Sequence, residues 1–228
     1  MGNSPEQIFA GAKTTYEFVI ENLREIYDQL NEKERKEAFD GSFKNMEMGF
    51  DLVLQNTLLK IATVDGDVSP NEAVFLSRLG GLGFDLCEYV KAFAKAAGEK
   101  VEVSWGAFTT SPIPTVRGFT KMIDAAIAPI VDKLYGVFSM VDMLSKKDYF
   151  TILEDGVLKI SDAFLSIDFD RSEYENNAAI AEIKENILRP IVDNNIALMI
   201  ALGEAKDEAE AKTKQKEKKK TAKKARKR

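Results

Sequence analysis

The sequence predicts an all-α fold, a compact bundle of seven or eight helices. Three observations carry this prediction. Apolar residues recur at spacings of three and four along most of the chain. Helix start signals stand just ahead of several of these runs. No stretch shows strand-like alternation over a convincing length.

Ser4-Pro5-Glu6-Gln7 is a capping signal that opens a long helix. Phe9, Ala12, Tyr16, Val19, Leu23, Ile26 and Leu30 follow on one face. The polar run Asn31 to Arg35 starts a short turn or helix. Phe43, Met46, Phe50, Leu54, Leu58, Ile61 and Val64 mark the next helix. Asp65-Gly66 is expected to stop it, because glycine tolerates the left-handed backbone that closes a helix. Ser69-Pro70-Asn71-Glu72 then reads as a capping box with proline at the first helical position. The helix it opens carries Ala73, Leu76 and Leu79 and ends at Gly80-Gly81.

Residues 85–97 give a helix through Leu86, Val90 and Phe93. The pattern breaks over 98–114, where Val103, Trp105, Phe108, Pro112 and Pro114 predict a core-covering loop with a brief extended segment. Helical rhythm returns from Val116 to Leu144, with a kink or break expected near Ala128 because Pro129 follows. Further helices are expected from about Asp148 to Leu165, and from near Asp170 to about Leu202, bent at Pro190.

Residues 1–203 thus read as a single helical domain, and 204–228 as a charged, lysine-rich extension. Leu158-Lys159-Ile160-Ser161 before Asp168-Phe169-Asp170 echoes Leu59-Lys60-Ile61-Ala62 before Asp65-Gly66-Asp67. A weak internal duplication of 43–97 and 148–203 would explain the echo; chance similarity between helical hairpins is the alternative.

Composition removes several chemistries. The chain has no histidine, so histidine triads and histidine-ligated zinc are excluded. Its one cysteine, Cys87, cannot form an internal disulfide; with Leu86, Tyr89 and Val90 beside it, a buried thiol in a reducing compartment is expected. No signal peptide or membrane-spanning run is visible, and a cytoplasmic protein is expected, with peripheral membrane association left open. Charge is uneven. Residues 212–228 hold eleven Lys/Arg and one acid, Glu217, so the remaining chain carries a net −15 of the overall −5. That basic stretch suits nucleic acid or anionic lipid, could fold back on the acidic body, or could simply solubilise the chain.

Asp65, Asp67 and Glu72 fall within eight residues, and two readings fit them. One is a site for a divalent cation, calcium or similar, which takes oxygen ligands on tight turns. The other is helix capping aided by the helix dipole. The register departs from an EF-hand, because Ile61 and Thr63 would occupy the first two ligand positions. Asp168, Asp170 and Glu173 form a second acidic bend, with Asp170-Arg171-Ser172-Glu173 read as its capping box. If the two bends face each other, six carboxylates converge.

The stretch from Leu58 to Leu79, with Ala62-Thr63-Val64-Asp65-Gly66, Val68-Ser69 and Glu72, resembles the signature of the TerB-like family. This is the tellurite-resistance helical domain, also related to the N-terminal part of certain membrane-anchored DnaJ-type co-chaperones. The resemblance implies an all-helical, non-enzymatic module of stress responses, working through a protein partner, with the acidic turn residues as metal ligands. By motif position Asp65 and Glu72 match best, then Asp67, then the second bend. A helical scaffold or adaptor, docked through its basic stretch, is the competing expectation. No nucleophile–base pairing or phosphate-cradling loop points to an enzyme, and no catalytic residue is assigned.

Overall fold

A computed structural model describes residues 4–167 and 172–205. Among them all regular secondary structure is helical, with no strand. The elements are α1 (Pro5–Gln29), α2 (Glu32–Phe39), α3 (Phe43–Ala62), α4 (Pro70–Gly80), α5 (Leu86–Ala96), α6 (Trp105–Phe108), α7 (Ile113–Leu144), α8 (Tyr149–Leu165) and α9 (Glu173–Ile183). A π-helical turn, Lys184–Leu188, follows α9, and α-helix resumes over 189–205 as α10.

The caps expected at Ser4 and Ser69 form, and Asn31 adds one that the sequence reading did not name. Ser4 with Gln7, Asn31 with Glu34 and Ser69 with Glu72 each make reciprocal capping boxes. The α1 face is buried as its periodicity requires, from Phe9 to Leu30. Its partner is α8. The helices approach closely at Gly156, where an added Cβ would stand 2.3 Å from Val19 Cγ2.

The bundle is organised around α3, which packs against α1, α4, α5, α7, α8 and α9. Every residue from Gly49 to Leu59 is buried, so this helix is surrounded on all sides. Four of those residues are polar: Asp51, Gln55, Asn56 and Thr57. A single apolar face, as the spacing of Phe43 to Val64 implies, therefore describes only half of what α3 buries.

Several expectations are corrected. The incoming helix ends at Ala62 with Thr63 as its C-cap, earlier than Asp65-Gly66; the Thr63 and Val64 amides tighten onto Lys60 and Ile61. Phe93 does not belong to the core, being 60% exposed and stacked on Tyr89. The loop after α5 holds the short helix α6, with no extended strand among its residues. Trp105 and Phe108 cover the core there, and Trp105 Nε1 donates to Asp85 Oδ2 at 2.9 Å. Pro129 does not break α7. Both Pro129 and Ala125, whose carbonyl lies four residues back, face solvent, where water can serve the carbonyl that proline leaves without an amide. The second capping box is Ser172 with Glu175, and α9 begins at Glu173.

Pro190 sits in the first turn of α10, and the helix runs on through it behind the π turn. The proline has no N–H to offer the Asn186 carbonyl four residues back. The Tyr135 hydroxyl donates to that carbonyl at 2.8 Å, and the widened turn gives the proline ring room.

Candidate functional site

The first acidic bend hangs from the C-terminus of α3. Arg117, on α7, secures that end: its Nη2 donates to the Thr63 carbonyl at 2.7 Å and its Nε to Thr63 Oγ1 at 3.3 Å. A cation at a helix C-terminus is also favoured by the dipole. Val68 is buried and pins the other side of the bend. Between these anchors Gly66 takes φ +111°, a region that side-chain-bearing residues avoid. Asp65 and Asp67 are both exposed there, and the Asp67 amide turns toward Asp65 Oδ1 at 3.4 Å.

Glu72 is different. It is only 5% exposed, and its Oε2 accepts from the Ser69 amide at 2.8 Å while the Glu72 amide donates to Ser69 Oγ at 3.1 Å. Its carboxylate serves the cap of α4, which is the capping reading of that residue.

The second bend leads into α9. Glu173 stands exposed in its first turn, and Glu175 closes the box with Ser172. Asp168 and Asp170 lie outside the described residues. Helix α3, which carries the first bend, packs against α9, which follows the second, and charge on the second bend acts on the first. Partial burial raises the Asp65 carboxyl above the usual aspartate range, and the charges of Asp67 and Glu175 push it further the same way. Glu175, which the sequence reading passed over in favour of Glu173, is thus the second-bend residue whose charge acts on Asp65. Ser172-x-x-Glu175 is itself a capping-box pattern, so the signal was present.

The donors that meet here are all carboxylate oxygens, the chemistry a hard cation takes. Among the described residues, however, no three acidic or cysteine side chains form a ready metal-ligand cluster.

A second set of polar groups, not foreseen from sequence, lies along α3. Asp51 is 1% exposed and accepts the Tyr16 hydroxyl on Oδ1 at 2.7 Å. Its Oδ2 has no hydrogen-bond partner. Burial pushes the Asp51 carboxyl up to about 8; the Tyr16 bond opposes this, Glu47 adds to it, and the Phe84 amide lowers it without reaching good hydrogen-bond geometry. One turn on, Gln55 accepts the Leu86 amide at 2.9 Å and donates to the Phe84 carbonyl, stitching the α4–α5 connection to the core.

Farther along, Asn56 and Lys60 reach α7 and the π turn. Lys60 Nζ lies 2.8 Å from Asp124 Oδ2 and 2.8 Å from Asn186 Oδ1, and Asn56 Nδ2 donates to Asp124 Oδ1 at 2.7 Å. Asn56, Asp124 and Asn186 line an open groove of about 320 Å³ together with Asp132, Glu185 and Pro190. Cys87 is buried, and its thiol is pushed up to about 12 by burial, so it is a packing residue and a poor nucleophile.

The chain matches no protein-family profile, no curated protein and no solved structure.

Proposed function

We propose that this chain is a non-enzymatic, TerB-like helical binding module whose two acidic bends together hold a divalent cation. What supports the reading is that the charge of Glu175 acts on Asp65, from a bend more than a hundred residues away along the chain, where α9 packs on α3. An Asp65 carboxyl raised by neighbouring negative charge is relieved by a cation beside it, and the gain appears as stability. The exposed oxygens of Asp65 and Asp67 supply accessible ligands; Glu72 supports the site by fixing the start of α4. The resemblance of residues 58–79 to the TerB-like signature supports the same role, and with it a function in stress response through a protein partner.

The test is thermal unfolding with calcium, magnesium or manganese added. A cation present at a hundredfold its Kd adds about 2.7 kcal/mol, enough to raise Tm by several degrees. The rise is expected to vanish in Asp65→Asn combined with Asp67→Asn, which leaves every cap intact. No rise with any of the three ions, or the same rise in the double variant, would refute the reading.

A further inference from the structure

Exposed aliphatic side chains gather at one end of the bundle. On α10, Val192, Ile196, Met199 and Ile200 are all exposed, Met199 by 63%, and they fall within a sector of about 100° on the helix. Leu202 flanks that sector, and Leu144, at the end of α7, is 75% exposed. The corner after Leu144 shares a groove with this face. Lys146 and Lys147, together with Asp142 and Asp148, line it on one side, and Val192, Ile196 and Met199 on the other, around about 430 Å³. Lys147 is paired with Glu25, whereas Lys146 is exposed and makes no ion pair among the described residues.

Beyond this face the sequence becomes strongly basic. Lys212 follows Ala205 by seven residues, no more than about 25 Å of chain, and opens the stretch with eleven Lys/Arg against one acid. An aliphatic helix face next to a polybasic segment is a two-part signal. Either part alone gives marginal attachment to a bilayer, and together they give stable, salt-sensitive attachment. No helix among the described residues is long and apolar enough to cross a membrane, so the contact would be peripheral.

We propose that the exposed face of α10, together with the Leu144–Lys147 corner, docks on the surface of an anionic lipid bilayer, which the net charge of +10 over residues 212–228 favours. The aliphatic side chains enter the headgroup boundary, and the lysines meet the lipid phosphates and carboxylates. Nucleic acid is the poorer fit. It would use the cations but gain nothing from exposed Ile and Met, and residues 189–228 contain no aromatic side chain on which a base could stack. The acidic remainder of the chain would be repelled by an anionic surface, which orients this end toward it. This inference rests on a different surface from the acidic bends and stands or falls independently of them.

Co-sedimentation of the full chain with vesicles tests it. Binding is expected to phosphatidylcholine–phosphatidylserine vesicles and not to phosphatidylcholine alone, weakening as salt is raised. Ile196→Ser with Ile200→Ser, both on exposed positions, is expected to lower binding roughly tenfold or more with an unchanged melting temperature. Lys146→Glu is expected to lower it too. A chain ending at Ala205 is expected to lose binding altogether. No vesicle binding overturns the proposal. So does binding that the isoleucine variant leaves intact, because that assigns attachment to charge alone, as does equal, isoleucine-independent capture of duplex nucleic acid. A concentration-dependent dimer abolished by the same isoleucine substitutions would give the face to a second copy of the chain, and also overturns it.

Discussion

The Tyr16 hydroxyl donates to Asp51 Oδ1 at 2.7 Å across 35 residues of sequence, and both side chains are buried. This bond ties α1 to the centre of α3, and it does so with a carboxyl that burial holds near a pKa of about 8. At neutral pH the folded chain therefore keeps Asp51 largely protonated, while the unfolded chain ionises it near the ordinary value.

Stability follows from that difference. Between the unfolded and folded pKa the native state binds the extra proton, so the contribution of Asp51 is fully present below about pH 4 and falls as pH rises toward 8. The slope is at most about 1.4 kcal/mol per pH unit, and it flattens above the folded pKa. Asp51→Asn keeps an acceptor for Tyr16 and removes the titration. Urea unfolding from pH 5 to 9 is expected to show the variant gaining on the wild type as pH rises. Parallel curves across that range would mean that Asp51 is charged throughout.

Gly83 faces the same pair. A Cβ built there would lie 2.3 Å from Asp51 Oδ2 and 2.4 Å from the Tyr16 hydroxyl, with Glu47 Oε1 at 3.3 Å. None of the first two can retreat, since both are buried and bonded to one another. Gly83→Ala is expected to cost about 2–3 kcal/mol in chemical denaturation, in the manner of overpacked cores. The same change at Gly106, where a Cβ meets nothing within 4 Å, is expected to be near neutral. Equal effects at the two positions would show that the Asp51 site has slack.

How much of this was legible in the sequence depends on where each helix sits. α1 has one face to solvent, so its burial could be read from the spacing of Phe9 through Leu30. α3 has no solvent face along Gly49–Leu59, and a period of 3.6 carries no information about a helix buried all round. Asp51, Gln55 and Asn56 fall outside the apolar spacing read for this helix, yet they are its buried connections to α1, the α4–α5 turn and α7. The caps of α1 and α4 were legible because a capping box is local chemistry. The meeting of Asp65 with Glu175 was not, because it depends on how α3 and α9 cross.

The π turn before Pro190 offers a cleaner measurement. If the Tyr135 hydroxyl serves the Asn186 carbonyl because Pro190 cannot, then Tyr135→Phe removes a buried donor and is expected to cost about 1–2 kcal/mol. Pro190→Ala supplies an amide to the same carbonyl. In that background the phenylalanine substitution is expected to cost measurably less, giving a coupling of about 0.5 kcal/mol or more in a double-mutant cycle. Strict additivity would show that the two residues act on the carbonyl independently.

The adjacency of the acidic bends can be tested without any metal. Glu175 raises the Asp65 pKa through its charge, so Glu175→Gln is expected to let Asp65 ionise at lower pH, while a glutamine at that position can still reach back to the Ser172 amide in the α9 cap. Carboxyl carbon NMR titration of Asp65 in the two proteins reads the shift directly. Because Asp65 and Asp67 are exposed, the difference is expected to shrink as salt is added. The sign matters for stability as well. A carboxyl raised in the folded state weakens the fold as it ionises, so Glu175→Gln is expected to relieve part of that loss above the Asp65 pKa and to change little below it. An Asp65 titration identical in both proteins would separate the bends and remove the ground for a cation shared between them.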